Sequence, residues 1–383
     1  MSDMTTAAGT GALANVAHTS LSDEERLFVA SQWSLMLHHF KKHRLAVVGS
    51  IIVILMYILA IFHGFLAPYD KLTRSEYMYM APQKLLFSDG TGFSLRPHVH
   101  GITATSDPVT FTRTFVSDES VIYPVRFFTQ GDEYSFLGLF KTRTHLFGVD
   151  EPGKIFLMGT DDLGRDLFSR ILYGSAISLS IGLMGVLTSF FLGITLGGIS
   201  GFYGGVTDTI IQRVIEFLIS IPTIPLWMAL SAAVPASWNA IQVYFAITII
   251  LSLRGWCGLA RIVRSKMLEV AQYDFVMAAK LAGASDARII ARHLIPSFMS
   301  FLIVDMTLAI PSMILGETSL SFLGLGLRPP VVSWGVLLQA ATNVRTVATY
   351  PWIMWPGAFL ILTVLAFNFM GDGLRDAADP YKV

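Results

Sequence analysis

YDFVMAAKLAGASDARIIARHLIP, residues 273–296, is the stretch on which the reading of this chain turns. It is polar enough to lie in water, yet it separates two long apolar runs. Its spacing predicts two short helices around a glycine. Asp274 is placed to cap the first, whose inner face Phe275, Ala278, Ala279 and Ala282 follows the i, i+3, i+4, i+7 pattern. Gly283 suits the left-handed conformation that ends a helix. Ser285 is placed to cap the second helix, and Pro296 to stop it after His293, Leu294 and Ile295. The alanines leave one face nearly bare, so another protein's backbone can approach closely. The plainer reading is an amphipathic connector covering other helices, because helix–glycine–helix hairpins are common.

The surrounding sequence is that of a membrane protein. In 383 residues, 53% are hydrophobic and only 14% charged, and the mean hydropathy is +0.58. Balanced charge gives no basic face for nucleic acid. The single cysteine, Cys257, excludes an internal disulfide and a cysteine-based zinc cluster. His98 and His100, two apart, are too few to argue for a metal. No cleavable signal peptide is expected at the N-terminus.

Six spans are predicted, near residues 45–62, 176–201, 209–234, 239–259, 298–316 and 351–370. Before them, residues 1–21 read as a tail, and Ser22 starts a surface helix carrying Leu27, Phe28, Trp33, Leu37 and Phe40. Lys41, Lys42 and Arg44 precede the first span, and loop 261–297 carries a basic excess, so both are expected in the cytoplasm. Residues 66–158 contain no spanning run and are rich in β formers. They predict a small, mostly β domain on the outer side, with the run 121–128 an edge candidate because of Pro124. Within it, residues 148–155 imitate a phosphate-binding loop, but Ile155 stands where a Ser or Thr would hold Mg²⁺. Any ATP hydrolysis must therefore come from another chain.

Within the spans, Gly185, Ser189, Gly193, Gly197 and Gly201 recur every four residues, a small-residue stripe suited to close helix packing in lipid. Arg213 and Glu216 are placed to pair near the start of the third span. Pro222 and Pro225 are expected to kink or break it, and Pro311 to bend the fifth. Asp305 lies inside the fifth span, as either a pathway group or a helix–helix hydrogen bond. Glu317 is assigned to an outer re-entrant or interfacial segment with residues 320–326 (LSFLGLG), Pro330 and Trp334-Gly335. Residues 159–170 (GTDDLGRDLFSR) predict a turn, capped by Thr160 or Asp161, that feeds a helix near Leu167. Arg165 and Asp166 are read as a solvated pair in preference to a contact for an outer partner. No paired histidines or carboxylates suggest an intramembrane enzyme; no catalytic residue and no metal site is assigned.

Three segments carry a family resemblance. Ala278, Ala279, Gly283 and Pro296 fall in register with the cytoplasmic EAA loop of ABC-importer permeases, with Met277 where that motif has glutamate. Residues 159–170, 320–326 and 368–376 (Asn368, then GDGLRD) resemble the dipeptide, oligopeptide and nickel importer permeases. The resemblance implies an all-α polytopic membrane protein of type I importer fold, with six transmembrane helices and an extracytoplasmic, mostly β insert between helices 1 and 2. The implied organisation is a cytoplasmic tail and surface helix (1–44), a first transmembrane helix (45–65), the insert (66–170), a permease core (171–372) with coupling loop 261–297, and a cytoplasmic tail (373–383).

It further implies residence in the bacterial inner membrane and a share in the translocation pathway for peptides or a similar solute. The implied partners are a second permease chain, two ATPase subunits that bind ATP and Mg²⁺, and an extracytoplasmic binding protein; this chain binds no cofactor. Coupling residues would be Phe275, Met277, Ala278, Ala279, Gly283, Ser285 and Pro296, with docking resting mostly on Ala278, Ala279 and Gly283. Pathway candidates are Pro222, Pro225, Asp305, Pro311 and Glu317. The competing class is a stand-alone secondary transporter or channel, for which the few intramembrane charges are thin support.

Overall fold

The structure, a computed structural model, describes residues 32–88, 93–106, 113–136 and 138–378. The start of the surface helix at Ser22, with Leu27 and Phe28, lies outside the described residues. Its later part is α1 (Gln32–Lys42). α2 (Arg44–Ile61) follows directly, its first turn capped by His43, whose ring accepts a hydrogen bond from the Ala46 amide at 3.1 Å. At about 1.5 Å per residue, its 18 residues nearly match a bilayer's hydrocarbon core. A one-turn helix, α3 (His63–Leu66), leads away from it.

The insert that follows is a β structure in two parts. β1 (Leu86–Ser88), β2 (Phe93–Ser106) and β3 (Arg113–Pro124) form an antiparallel sheet in that order; β4 (Arg126–Phe136) and β5 (Phe140–Gly148) form a separate hairpin. The run 121–128 is therefore two strands. Pro124 has no amide to continue the ladder and ends β3, the sheet's edge strand, while the Val125 amide turns to donate to Pro97 O at 2.8 Å. The phosphate-loop imitation is a turn after β5, and Ile155 is buried against Val99 and Val125. The two arms of the insert are joined side by side in a neck. Met80 and Thr160 exchange hydrogen bonds, Met80 N to Thr160 Oγ1 at 2.8 Å and Thr160 N to Met80 O at 3.0 Å. Gln83 and Phe156 do the same, Gln83 N to Phe156 O at 2.9 Å and Phe156 N to Gln83 Oε1 at 2.7 Å.

α4 (Leu167–Tyr203) begins nine residues before the expected span, so the boundary at 170/171 falls inside it. Neither Thr160 nor Asp161 caps it. Asp166 does, accepting from Ser169 N at 2.7 Å and Ser169 Oγ at 2.6 Å. Arg165 and Asp166 do not form a solvated pair. Arg165 binds Asp161 at 2.8 Å, Arg170 pairs with the same carboxylate, and Asp166 is buried. Burial pushes the Asp166 carboxyl up to about 7 despite the hydrogen bonds from Ser169.

The third span is two helices, α5 (Gly205–Ser220) and α6 (Thr223–Ala232), bent by 87° with Pro222 at the corner. Arg213 and Glu216 pair at 2.8 Å on α5. α7 (Ala240–Val270) extends well past the expected end at 259, so the first third of loop 261–297 is helix. The loop then holds α8 (Asp274–Leu281) and α9 (Asp286–Ile289). α10 (Met299–Phe322) reaches past 316 and takes Glu317 into the span. α11 (Trp334–Leu338) and α12 (Val344–Thr349) are the short helices of the expected re-entrant or interfacial segment, and a 3₁₀ turn (Pro351–Met354) opens α13 (Trp355–Ala378), which runs through the expected 372/373 boundary. Among the described residues, five helices are long and apolar enough to cross a membrane, six if the bent pair counts as one span.

α4 is the central post, and α7 lies closest along it. The small-residue stripe makes that approach possible. Ser189 Oγ donates to Ser252 O at 3.3 Å, and Ser252 Oγ donates to Gly185 O at 3.0 Å. A methyl group built on Gly193 would meet Leu259 at 2.9 Å; one on Gly197 would strike the Ala260 backbone. In lipid, where apolar surface gains little from leaving the solvent, such close packing is a main source of helix association. Gly201→Val, whose Cβ would lie 2.7 Å from both Arg264 O and Met267 Cβ, is expected to lower stability by roughly 1–3 kcal/mol. Gly258→Ala, which faces open space on α7, serves as the control. Denaturation of the two variants in the same detergent micelles measures the difference.

Candidate functional site

The loop between α7 and α10 is a lever with one face bolted down. Val276 of α8 and Ile289 of α9 are fully buried, and with Leu294 they join Leu259, Val263 and Met267 of α7 and Leu302 of α10 in one apolar cluster. Phe190, Ile194 and Phe202 of α4 pack against the same cluster. Lys280 Nζ lies 5.4 Å from the centre of the Phe202 ring, a further tie to α4. The loop thus rests on the ends of three spans at once.

Its inner face differs from the expected one. The face turned inward carries Val276 and Ala279, whereas Phe275, Ala278 and Ala282 are exposed. β-branched Val276 fills the cluster better than any alanine, and that choice rotates the helix. Asp274 does not cap α8: Tyr273 holds the N-cap position without a side-chain bond, and Asp274 sits in the first turn. Ser285 holds the N-cap position of α9, also without a side-chain bond. Gly283 adopts φ +77°, and no atom lies within 4 Å of where a Cβ would stand. Pro296 does not stop the second helix. After α9 the chain makes a π turn (Ile290–Leu294) and a three-residue helical turn (Ile295–Ser297) that holds Pro296 near its start; the break falls at Phe298.

The rotation leaves an apolar ridge in water. Tyr273, Phe275, Met277 and Leu281 are all exposed, Leu281 at 88% and Met277 at 53%. Exposed apolar side chains at this density exceed what a lone surface helix ordinarily carries. Met277 lies within the ridge, where it contributes a deformable apolar contact.

A bidentate ion pair secures the same end of the bundle. Arg264 of α7 donates to Asp208 of α5 at 2.6 and 2.5 Å, and Asp208 also accepts from Ser200 of α4 at 2.5 Å. Sequence reasoning missed this pair, since 56 residues separate its members and the only signal is an acid beside a basic loop. Asp305 lines a cleft of about 1030 Å³ with His43, Asp372 and Arg375, between α10, α13 and the start of α2.

Glu317 is the other organised group. Fully buried in α10, it accepts from Ser321 and Ser333, both at 2.7 Å, and from Ser178 of α4 at 3.3 Å. Ser178 in turn accepts from the Trp334 amide at 3.1 Å, and the Trp334 ring donates to Ile171 O at 3.2 Å. The re-entrant segment is thereby pinned to α4 and α10. Pro311 is buried within α10, and Pro222 and Pro225 lie at the start of the exposed α6.

Comparisons with known proteins give this architecture its family. Residues 193–382 match the family described as binding-protein-dependent transport system inner membrane component, and residues 31–82 match the N-terminal transmembrane domain of oligopeptide transport permease C. The dipeptide transport system permease protein DppC of Bacillus subtilis is 42% identical over 231 residues, 60% of this chain and 70% of its own length. The chain belongs to the binding-protein-dependent transport permeases. Other relatives are the oligopeptide permease OppC of the same organism (38% identical; 62% of this chain, 76% of its own) and the glutathione permease GsiD of Pectobacterium atrosepticum (40%; 60% and 74%). A solved inward-facing MetNI methionine ABC transporter aligns with 54% of this chain and 95% of its own, with a TM-score of 0.43 and 16% identity. The permease is the membrane component of an ABC importer that works with ATPase and binding-protein partners, and is not itself the ATPase. That sets aside a stand-alone carrier.

Glu317→Ala would strand several buried hydroxyls at once, with a cost on the order of 1–3 kcal/mol for each left unpaired. The expected outcome is a permease of lower melting temperature whose re-entrant segment becomes protease-sensitive, with Glu317→Gln intermediate. Limited proteolysis and thermal melting of the purified chain read both effects.

Proposed function

We propose that residues 273–296 are the seat of an ATPase subunit and that the permease moves a peptide or peptide-derived solute. The observation that carries the first part is the exposed row of Tyr273, Met277 and Leu281, each four apart, with the Phe275 ring beside Tyr273, on a helix whose Val276 and Ala279 are locked to α4, α7 and α10. A body pressing on that ridge displaces three spans together. Docking then rests on the ridge, with Ala278 and Gly283 leaving room beside it and Ala279 serving the inner face. Ser285 and Pro296 shape the return to α10. ATP and Mg²⁺ belong to the ATPase chains.

The solute reading rests on the relatives, whose names specify dipeptides, oligopeptides and glutathione. A second, different permease chain completes the pathway. The corner at Pro222 and Pro225 supports a gating role best among the proline candidates, because α5 and α6 each bury only one residue fully against this chain. The basic excess in loop 261–297 supports a cytoplasmic loop and cytoplasmic termini, with the insert outside.

Leu281→Asp and Met277→Asp each place a charge on the ridge without touching the buried cluster. Both are expected to weaken co-purification of the ATPase subunits by about tenfold or more, on the order of 1.4 kcal/mol, while permease abundance in the membrane stays unchanged. Val276→Asp, in contrast, is expected to deplete the permease itself. Normal ATPase recruitment and solute uptake by both ridge variants would remove the loop from its proposed role.

A further inference from the structure

β4 and β5 meet at the Phe136↔Phe140 pair, and Leu139 stands in the turn between them, where hairpins ordinarily carry polar residues. Gly138 supplies the positive φ of +73° that the turn needs, and nothing lies within 4 Å of its missing side chain. Leu139 is 78% exposed and Phe140 58%. Two large apolar side chains are thus held out at a tip, with the rest of this chain leaving them bare.

The position of the tip says what covers it. The Phe136 ring lies 5.6 Å from that of Phe62, the residue that ends α2, and 5.4 Å from that of Phe140. Phe62 continues the uncovered stripe of α2 that includes Ile54, Ile58 and Ile61, the face this span turns away from its own bundle. The tip therefore sits at the end of the apolar stripe that this span leaves uncovered. Its height is fixed: the His145 ring bonds Ala67 O at 2.5 Å and Asp132 O at 2.9 Å, tying both strands to the chain just after α3. Tyr134 packs against Gly64 on the same side. Immediately behind the tip comes charge. Lys141 pairs with Glu133 at 2.7 Å, and Arg143 lies 3.7 Å from the same carboxylate. At about 3.4 Å per residue, one rung of the ladder separates the apolar tip from this collar, which suits the step from acyl chains to headgroups.

We propose that this hairpin is a membrane anchor, burying Leu139 and Phe140 in the outer leaflet beside α2 with Lys141 and Arg143 among the headgroups. The proposal rests on the reading of α2 as a membrane span and the insert as external. It makes the insert a domain laid against the bilayer, with its three-stranded sheet left free in the solvent.

The test uses the full-length chain with Cys257→Ala, so that one introduced cysteine carries a fluorescent label. Leu139→Cys and, as control, Glu119→Cys on β3 are labelled in nanodiscs containing nitroxide lipids. The label at 139 is expected to be strongly quenched by lipid nitroxides and several-fold less accessible to aqueous iodide than the label at 119. Iodide access at 139 equal to that at 119 would overturn the proposal. So would protection from iodide without nitroxide quenching, which would assign the tip to a protein neighbour. Nanodiscs expose both faces, so this result is independent of sidedness. An inverted topology would show itself separately, through the access of externally added iodide to the 119 label in sealed vesicles.

Discussion

Backbone-to-backbone approach between α4 and α7 is the constraint on which the rest of this permease depends. A bilayer rewards apolar surface equally whether it touches lipid or protein, so burying leucines does little to hold helices together. Here Gly193, Gly197 and Gly201 remove the side chains that would hold the two helices apart, and across the gap Ser189 Oγ donates to Ser252 O while Ser252 Oγ donates to Gly185 O. With that pair closed, the end of α7 is stiff as far as Val270. The loop then has something firm to lean on. A loosely packed α7 would let α8 move without carrying any span.

Two polar assemblies complete the frame at opposite ends of α4. Toward the loop, Arg264, Asp208 and Ser200 join α7, α5 and α4. Toward the insert, Glu317 and its serines join α10, α4 and the re-entrant segment. A carboxylate in a low-dielectric setting is costly unless its oxygens are met by donors, and both acids are met. Between these fixed ends, the α5–α6 pair with its 87° corner is the least covered part of the core.

The legible part of the fold was local. Apolar runs located the spans, and turn chemistry located Gly283 and the start of α4 at Leu167. What escaped had causes beyond the local pattern. Helix periodicity offered Phe275 and Ala278 as an inward face, but Val276 fits the cluster of Met267, Ile289 and Leu294, and tertiary packing overrode the stripe. Span ends were misjudged at 259 and 316 because polar residues such as Arg264 and Glu317 look like boundaries until their partners are known. The partner of Arg264 is 56 residues away, and of the three serines on Glu317 one is 139 away and one 16, so spacing along the chain reveals only Ser321. Asp166 was misread for the same reason: beside Arg165 it looked like half of an ion pair, while the cap of α4 required it.

The neck at Met80–Thr160 and Gln83–Phe156 has a consequence for how this chain is built. The family match at the N-terminal side ends at residue 82, within that neck. The two arms are held together by reciprocal hydrogen bonds, so the helices on either side keep their registers however much chain is looped out beyond it. Closing a longer loop adds only about 0.6 kcal/mol per doubling of length. The insert is therefore a cassette. Within it the β4–β5 hairpin is the part that the helices do register, through His145 on Ala67 and Phe136 on Phe62, so a change in insert length is absorbed by the three-stranded sheet and not by the hairpin.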